Sequence, residues 1–402
     1  MKTTLLKILS VILTISLLSF SASALTTENY SDDILTSLAI ESNTEPVGTK
    51  LDIKAKSVIL IEATTGTVLY ENNADEKLAI ASITKVMSIL LFMEAIDKGY
   101  FNLETKITAS DHACSMGGSQ IWLEPGETMT VDELLRATII ASANDTTVAL
   151  AEAVSGSEEG FVELMNKRAK ELNMTNTTFK NATGLDQEGH LSSARDVALV
   201  SKELLKHELI KKYSTVWMDA LRNGESELVN TNKLVRYYDG CTGLKTGTTG
   251  KAGYCLSASA ERNGLSLIAV VLNGQTSNDR FNGARKLLDY GFSNYNFIEV
   301  QADQSLLKDL PCKEGMKSSV TLRPEGVLSL LLPKGSSKEI KQTANLPSFV
   351  KAPINVGDTI GKIHLEIDGK EVGFINILAK NSVERLNFFS SLALLLQSLL
   401  SI

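Results

Sequence analysis

The spacing of apolar and polar positions changes character several times along the chain. Ser57-Val-Ile-Leu-Ile-Glu62 and Gly66-Thr-Val-Leu-Tyr70 are short β-rich runs around Ala63-Thr-Thr-Gly66, which predicts a hairpin. Leu78 to Gly99, LAIASITKVMSILLFMEAIDKG, is almost wholly apolar and predicts a helix closed by Gly99. Further helices are expected over Val131–Val154, Ser157–Leu172 and Ser193–His207, the last opening on a Ser193-x-x-Asp196 capping pattern. After Thr242 the strand pattern returns. Leu256–Ala260 and Leu265–Leu272 are strand-like around the turn signal Arg262-Asn-Gly264, and Asn282–Tyr290 reads as a closing helix. Strands at both ends with helices between predict one antiparallel sheet flanked by helices, an α/β (α+β) domain over residues 51–296. Residues 297–380 alternate with period two, with a tight turn at Asp368-Gly369, and predict a small all-β domain.

The two ends of the chain read differently. Met1-Lys2, the apolar run Leu5–Phe20 and Ala22-Ser23-Ala24 have the parts of a secretory signal over residues 1–24, so mature protein is expected to begin near Leu25. Residues 25–50, rich in Ser, Thr, Glu and Asp, read as a loose leader. The tail, residues 381–402, is expected to form an amphipathic helix. Glu384, Asn387, Ser391, Ser398 and Ser401 fall on one stripe; Phe388, Phe389, Leu392, Leu395, Leu396 and Leu399 lie mostly opposite. Such a helix suits a membrane interface, and it falls short of the roughly twenty uninterrupted apolar residues of a span.

Composition narrows the class of protein. A chain of 402 residues exceeds the usual single core, in keeping with two domains. The net charge of −7, with no dense Lys/Arg block, argues against nucleic-acid binding. Four cysteines, Cys114, Cys241, Cys255 and Cys312, are scattered without a C-x-x-C and do not make a disulfide framework. His207-Glu208 opens like a zinc motif, but Lys211 stands where H-E-x-x-H needs its second histidine. There is no G-x-S-x-G elbow either, so a hydrolase here would take its base from something other than histidine. No metal or other cofactor enters this reading.

That leaves an anomaly: Lys85 lies near the start of an apolar helix, three residues after Ser82. Positions i and i+3 share a helix face, so a serine nucleophile would sit beside an amine able to take its proton. The spacing alone decides nothing, because Ser305–Lys308 and Ser348–Lys351 repeat it within the β-patterned region, outside any convincing helix. Two further motifs separate Ser82 from them. Ser142-Ala143-Asn144 interrupts an apolar helical stretch, which is costly unless its polar side chains have partners or work to do. Lys245-Thr246-Gly247 precedes strand-like residues, where Gly247 would let a ligand approach the backbone.

S-x-x-K, then S-x-N, then K-T-G, in this order and at wide spacing, resembles penicillin-binding proteins and serine β-lactamases. The neighbouring stretches GGSQIWLEPGETMTVDELL, NATGLDQEGHLSSARD and KTGTTGKAGY look like the low-molecular-mass D-alanyl-D-alanine carboxypeptidases in particular. A class A β-lactamase would carry S-D-N and a loop glutamate; here Ala143 stands in the middle motif, and NATGLDQEGH has no E-x-x-L-N setting. The resemblance implies a transpeptidase-like domain, no cofactor, peptidoglycan stem peptides as substrate and β-lactams as covalent inhibitors. It implies Ser82 as nucleophile, Lys85 as base and Ser142 as proton relay. Asn144 would hold the substrate amide and Lys85, and Lys245 and Thr246 a terminal carboxylate. The N–H groups of Ser82 and Thr248 would form the oxyanion hole. Arg280 is expected to help bind the D-alanine carboxylate, which suits guanidinium geometry. A D,D-endopeptidase, a β-lactamase and a catalytically silent wall-binding or penicillin-sensing protein are the alternatives.

Overall fold

The computed structural model describes residues 51–335, 339–388 and 391–392. The signal and leader readings, and most of the tail, lie outside them.

Strands β1 (Ala55–Glu62) and β2 (Val68–Asn72) form the expected hairpin. Helix α1 (Lys85–Asp97) follows, then α2 (Val131–Arg136), α3 (Asn144–Ser155), α4 (Glu158–Glu171) and α5 (Ala194–Leu204). The chain returns as β3 (Cys241–Thr249), β4 (Gly253–Arg262) and β5 (Leu265–Gly274), closed by α6 (Ser277–Asn294). The five strands make one antiparallel sheet in the order β2-β1-β5-β4-β3. Early and late strands thus share one sheet.

Both faces of this sheet are covered, which is why its central strands β1 and β5 read as near-continuous apolar runs. Ile59, Ile61, Ile268 and Val270 join a core with α1 and its neighbouring helices, while Val58, Leu60, Leu267 and Ala269 meet Ala284, Leu287 and Leu288 of α6. Alternate residues point to opposite faces, as strand geometry requires. Helix α1 is enclosed on every side, with Val86 to Met93 all buried and Phe92 stacked on Phe161. Each apolar side chain among them contributes roughly 1.5–3 kcal/mol on leaving water, while Ser88 Oγ donates to Ala182 O.

The stretch expected as one helix over Val131–Val154 is broken. After α2 the chain makes a π turn over Ala137–Ala141, Ser142 adopts a left-handed φ of 64°, and α3 starts at Asn144. The helix expected from Asn282 starts earlier, at Ser277, where Thr276 and Asp279 form a reciprocal cap. This brings Arg280 into its first turn.

Beyond α6, Tyr295–Val300 pairs with Leu328–Pro333, and four further strands form a sheet around Ile363, Leu365, Ile375 and Ile377. Its longest hairpin closes at Asp368-Gly369, both with positive φ. Among the described residues no helix is long and apolar enough to cross a membrane. The start of the tail departs from the reading of a helix from residue 381. Val383 is buried in the β core and bridges to Ile354, Arg385 bridges to Gly315 and pairs with Glu314 at 3.0 Å, and Asn381 Oδ1 accepts from Thr321 N. These residues are held by the β domain in extended form, so any tail helix starts after Leu386. A chain ending at Lys380 is therefore expected to be less stable than one ending at Leu386 by about 2 kcal/mol, because it loses a buried valine and its ladder contacts. Urea unfolding of the two chains measures this, and equal midpoints would contradict it.

Candidate active site

Ser82 lies one turn outside α1, in a 3₁₀ turn over Ala81–Thr84 that runs directly into Lys85. Side chains at i and i+3 eclipse in such a turn, which sets the serine over the lysine more directly than an α-helix does. Two glycines hold the turn in place. A Cβ on Gly184, whose φ is +86°, would sit 1.9 Å from Ala81 O. A Cβ on Gly247 would sit 2.6 Å from Ile80 O and 3.0 Å from the Ser82 and Ile83 nitrogens. The close approach expected at Gly247 is thus made by the chain's own Ser82 turn against β3.

The environment of Lys85 is the centre of the site. Its side chain is 0% exposed, and its Nζ lies 3.1 Å from Ser82 Oγ, 2.5 Å from Asn144 Oδ1 and 3.0 Å from Thr183 O. Asn144 and Thr183 offer carbonyl oxygens, which only accept. A neutral amine spends its two N–H groups on them and turns its lone pair to the Ser82 hydroxyl, which then donates to Nζ. Burial favours that neutral state most strongly, and the nearby Lys245 charge adds to it against the pull of Asp145, so the Lys85 pKa lies well below its ordinary value. Keeping an ammonium ion here would cost several kcal/mol.

The other wall comes from β3. Lys245 is 1% exposed, donates to Thr246 O at 2.9 Å, and has its pKa lowered to about 7 by burial and then by the Arg280 charge. Thr246 Oγ1 donates to Thr231 Oγ1 at 2.7 Å. Arg280 is buried, with its guanidinium beside the Tyr254 and Phe281 rings. Its Nη1 donates to Gly247 O at 3.1 Å and to Thr248 Oγ1 at 2.8 Å. Among the described residues Nη2 makes no hydrogen bond, which leaves it for a ligand. Ser142 sits at the break before α3, and its hydroxyl is likewise without a partner among the described residues.

Several contributors carry no sequence motif. Asn144 donates to Ser119 O through its backbone and to Gly117 O through Nδ2, both at 2.6 Å. Asp145, fully buried, accepts from the Ile121 and Leu123 amides. The loop from Gly117 to Leu123 is therefore fastened to the start of α3. His190 does the same for the loop that supplies Thr183. Its Nδ1 accepts from Lys180 N and its Nε2 donates to Thr84 Oγ1, as the neutral ring that burial favours, with a pKa of about 4. The decoy pairs have no such setting. Ser305, Lys308, Ser348 and Lys351 are all exposed, and Lys351 pairs with Glu314 instead.

Residues 41–276 match the family model described as D-alanyl-D-alanine carboxypeptidase. The chain belongs to that family. Residues 296–385 match the model described as penicillin-binding protein 5, C-terminal domain. The chain is 44% identical over 343 residues to the D-alanyl-D-alanine carboxypeptidase DacF of Bacillus subtilis, covering 84% of this chain and 88% of the relative. Among solved structures, penicillin-binding protein 5 from Haemophilus influenzae matches with a TM-score of 0.72 at 30% identity, over 84% of this chain and 99% of that one. Penicillin-binding protein D2 from Listeria monocytogenes, in its ampicillin-bound form, matches with a TM-score of 0.56 at 32% identity, over 61% of this chain and all of that one. Family and fold agree with the resemblance read from the three motifs.

Within this carboxypeptidase-family site the two lysines make activity depend on pH with a definite sign. The neutral fraction of the Lys85 amine, the proton acceptor in the reading proposed below, grows as pH rises through its lowered pKa. Acylation by penicillin is therefore expected to fall on the acid side. Lys245→Gln removes the like charge and should move that acid limb to higher pH. Acylation rates between pH 5 and 9 test this, and a limb that stays put or moves to lower pH would contradict it.

Proposed function

We propose that this protein is an exported serine D-Ala-D-Ala carboxypeptidase that trims the terminal D-alanine from peptidoglycan stem peptides. One observation carries the reading: a fully buried amine, its two N–H groups engaged by carbonyl oxygens, faces the Ser82 hydroxyl at 3.1 Å. Ser82 Oγ attacks the carbonyl carbon between the two D-alanines while its proton passes to Lys85. The resulting oxyanion is held by the Ser82 and Thr248 N–H groups. Collapse breaks the C–N bond, the leaving nitrogen takes a proton through Ser142, and D-alanine departs from an ester on Ser82. Water then attacks the ester with Lys85 as base, which frees the shortened peptide and restores the serine. Lys245, Thr246 and the free Nη2 of Arg280 bind the terminal carboxylate, whose charge would otherwise be unpaired in a buried cleft.

β-Lactams would form the same ester with Ser82, in keeping with the ampicillin-bound structure of the Listeria protein. Rates on three substrates separate the readings: D-alanine release from a D-Ala-D-Ala peptide, cleavage of a cross-linked dimer, and hydrolysis of penicillin. The first should dominate. Fast penicillin turnover would make it a β-lactamase, and labelling without turnover of any substrate a sensor.

Export rests on the first twenty-four residues, and membrane attachment on the apolar face of the tail. With few cations near that face, attachment should depend mainly on apolar area and little on salt. Ending the signal-cleaved protein at Leu386 should release it into the soluble fraction without changing its activity on small peptides. A shortened chain that still pellets with membranes would point to a retained signal or another surface.

A further inference from the structure

Asn230-Thr231-Asn232 runs between the two walls of the cleft, and nothing in the chemistry above uses it. Asn230 and Asn232 are 4% and 1% exposed. Asn230 Nδ2 donates to Val216 O, its Oδ1 accepts from Asn232 N, and Asn232 Nδ2 donates to Gly243 O of β3 at 2.9 Å. Thr231 N donates to Ile140 O at 3.2 Å, two residues before Ser142. This short strap therefore fixes Thr231 between the Ser142 break and the Lys245-Thr246-Gly247 strand, with its Oγ1 on Thr246 Oγ1 at 2.7 Å.

The direction of that last bond matters. A threonine hydroxyl has one proton, and that of Thr246 points at Thr231. A carboxylate only accepts, so Thr246 must withdraw its proton from Thr231 in order to bind one. Thr231 can then reverse its role and donate to the Thr246 oxygen, which strengthens the charge-assisted bond through a hydroxyl chain. We propose that Thr231 is a positioning residue for carboxylate recognition: it holds the Thr246 proton in the empty site and donates to Thr246 in the occupied one. This rests on the reading above, in which Thr246 meets the terminal carboxylate. A purely structural Thr231 would instead stabilise the strap alone and treat charged and neutral substrates alike.

Thr231→Val keeps the shape and removes the hydroxyl; Thr231→Ser keeps the hydroxyl. Steady-state kinetics on a diacyl-Lys-D-Ala-D-Ala peptide and on the same peptide with a C-terminal carboxamide separate the two roles. For Thr231→Val we expect KM for the acid to rise about three- to tenfold with kcat within about twofold, and no change for the amide, with Thr231→Ser close to wild type. Equal losses on acid and amide, a fall in kcat alone, no effect, or a serine variant behaving like valine would overturn the proposal. Wild-type protein that releases no D-alanine would overturn the carboxypeptidase reading instead. Acylation by benzylpenicillin and by its methyl ester then decides the Thr231 question, since the valine variant should lose rate only with the free acid.

Discussion

Ser82→Ala should abolish D-alanine release and covalent penicillin labelling together, a loss on the order of 10⁴-fold or more, while Ser305→Ala and Ser348→Ala leave both intact. The size of the effect follows from chemistry: without the hydroxyl there is no ester to form. The specificity follows from structure. Ser82 alone of the three stands over a buried amine, whereas the other two serines and their lysines are exposed. The fold should be little affected, because Ser82 is half-buried and gives up one hydrogen bond, to Lys85. A melting temperature within a few degrees of wild type would confirm that chemistry alone was lost. A β-lactam adduct found on any other serine would refute the assignment.

Lys85→Arg should remove acylation by a factor of about 10²–10⁴ while the protein stays folded. The substitution puts a permanent cation where the native amine is neutral, which lowers stability by several kcal/mol, but its donors can still meet Asn144 Oδ1 and Thr183 O. It removes the one property the mechanism needs, since a guanidinium does not lose its proton near neutral pH. Burial acts on lysine in the opposite way, by favouring its neutral form. The ammonium that looked out of place in an apolar helix is thus best understood as an amine. Near-normal acylation by the arginine variant would make Lys85 structural and place the base elsewhere. Stopped-flow measurement of penicillin acylation, with circular dichroism as the check on folding, distinguishes these outcomes.

How far the sequence carried the reading depends on what held each part in place. The sheet was legible because β1 and β5 are apolar on both faces, β4 alternates serine with apolar residues, and the turn at Arg262-Asn-Gly264 joins β4 to β5. The three motifs were legible because side chains carry them. The break at Ser142 was not. Ala137-Thr-Ile-Ile-Ala141 has no glycine or proline, and the left-handed serine is held by distant partners such as Ser119 O on Asn144 N. A local signal did exist: Thr146 and Thr147 both donate to Ala143 O, and a run of Ser, Asn, Asp and Thr competes with helix for backbone bonds. Thr276-x-x-Asp279 was a readable cap that would have started α6 early enough to include Arg280. Thr183 O, Gly117 O and Ser119 O were beyond reach, because a backbone carbonyl has no letter in the sequence. Asp145, His190 and Thr231 each have one, but the partners named above lie 10 to 106 residues away.

The most direct test is to quench the purified enzyme in acid while it turns over diacyl-Lys-D-Ala-D-Ala, weigh the protein, and assay free D-alanine in the same sample. The predicted result is a mass increase equal to the substrate minus D-alanine, confined to the proteolytic fragment that contains Ser82, with D-alanine accumulating in solution. Release of D-alanine from an enzyme that never carries the acyl group, or an acyl group carried on another residue, would contradict it.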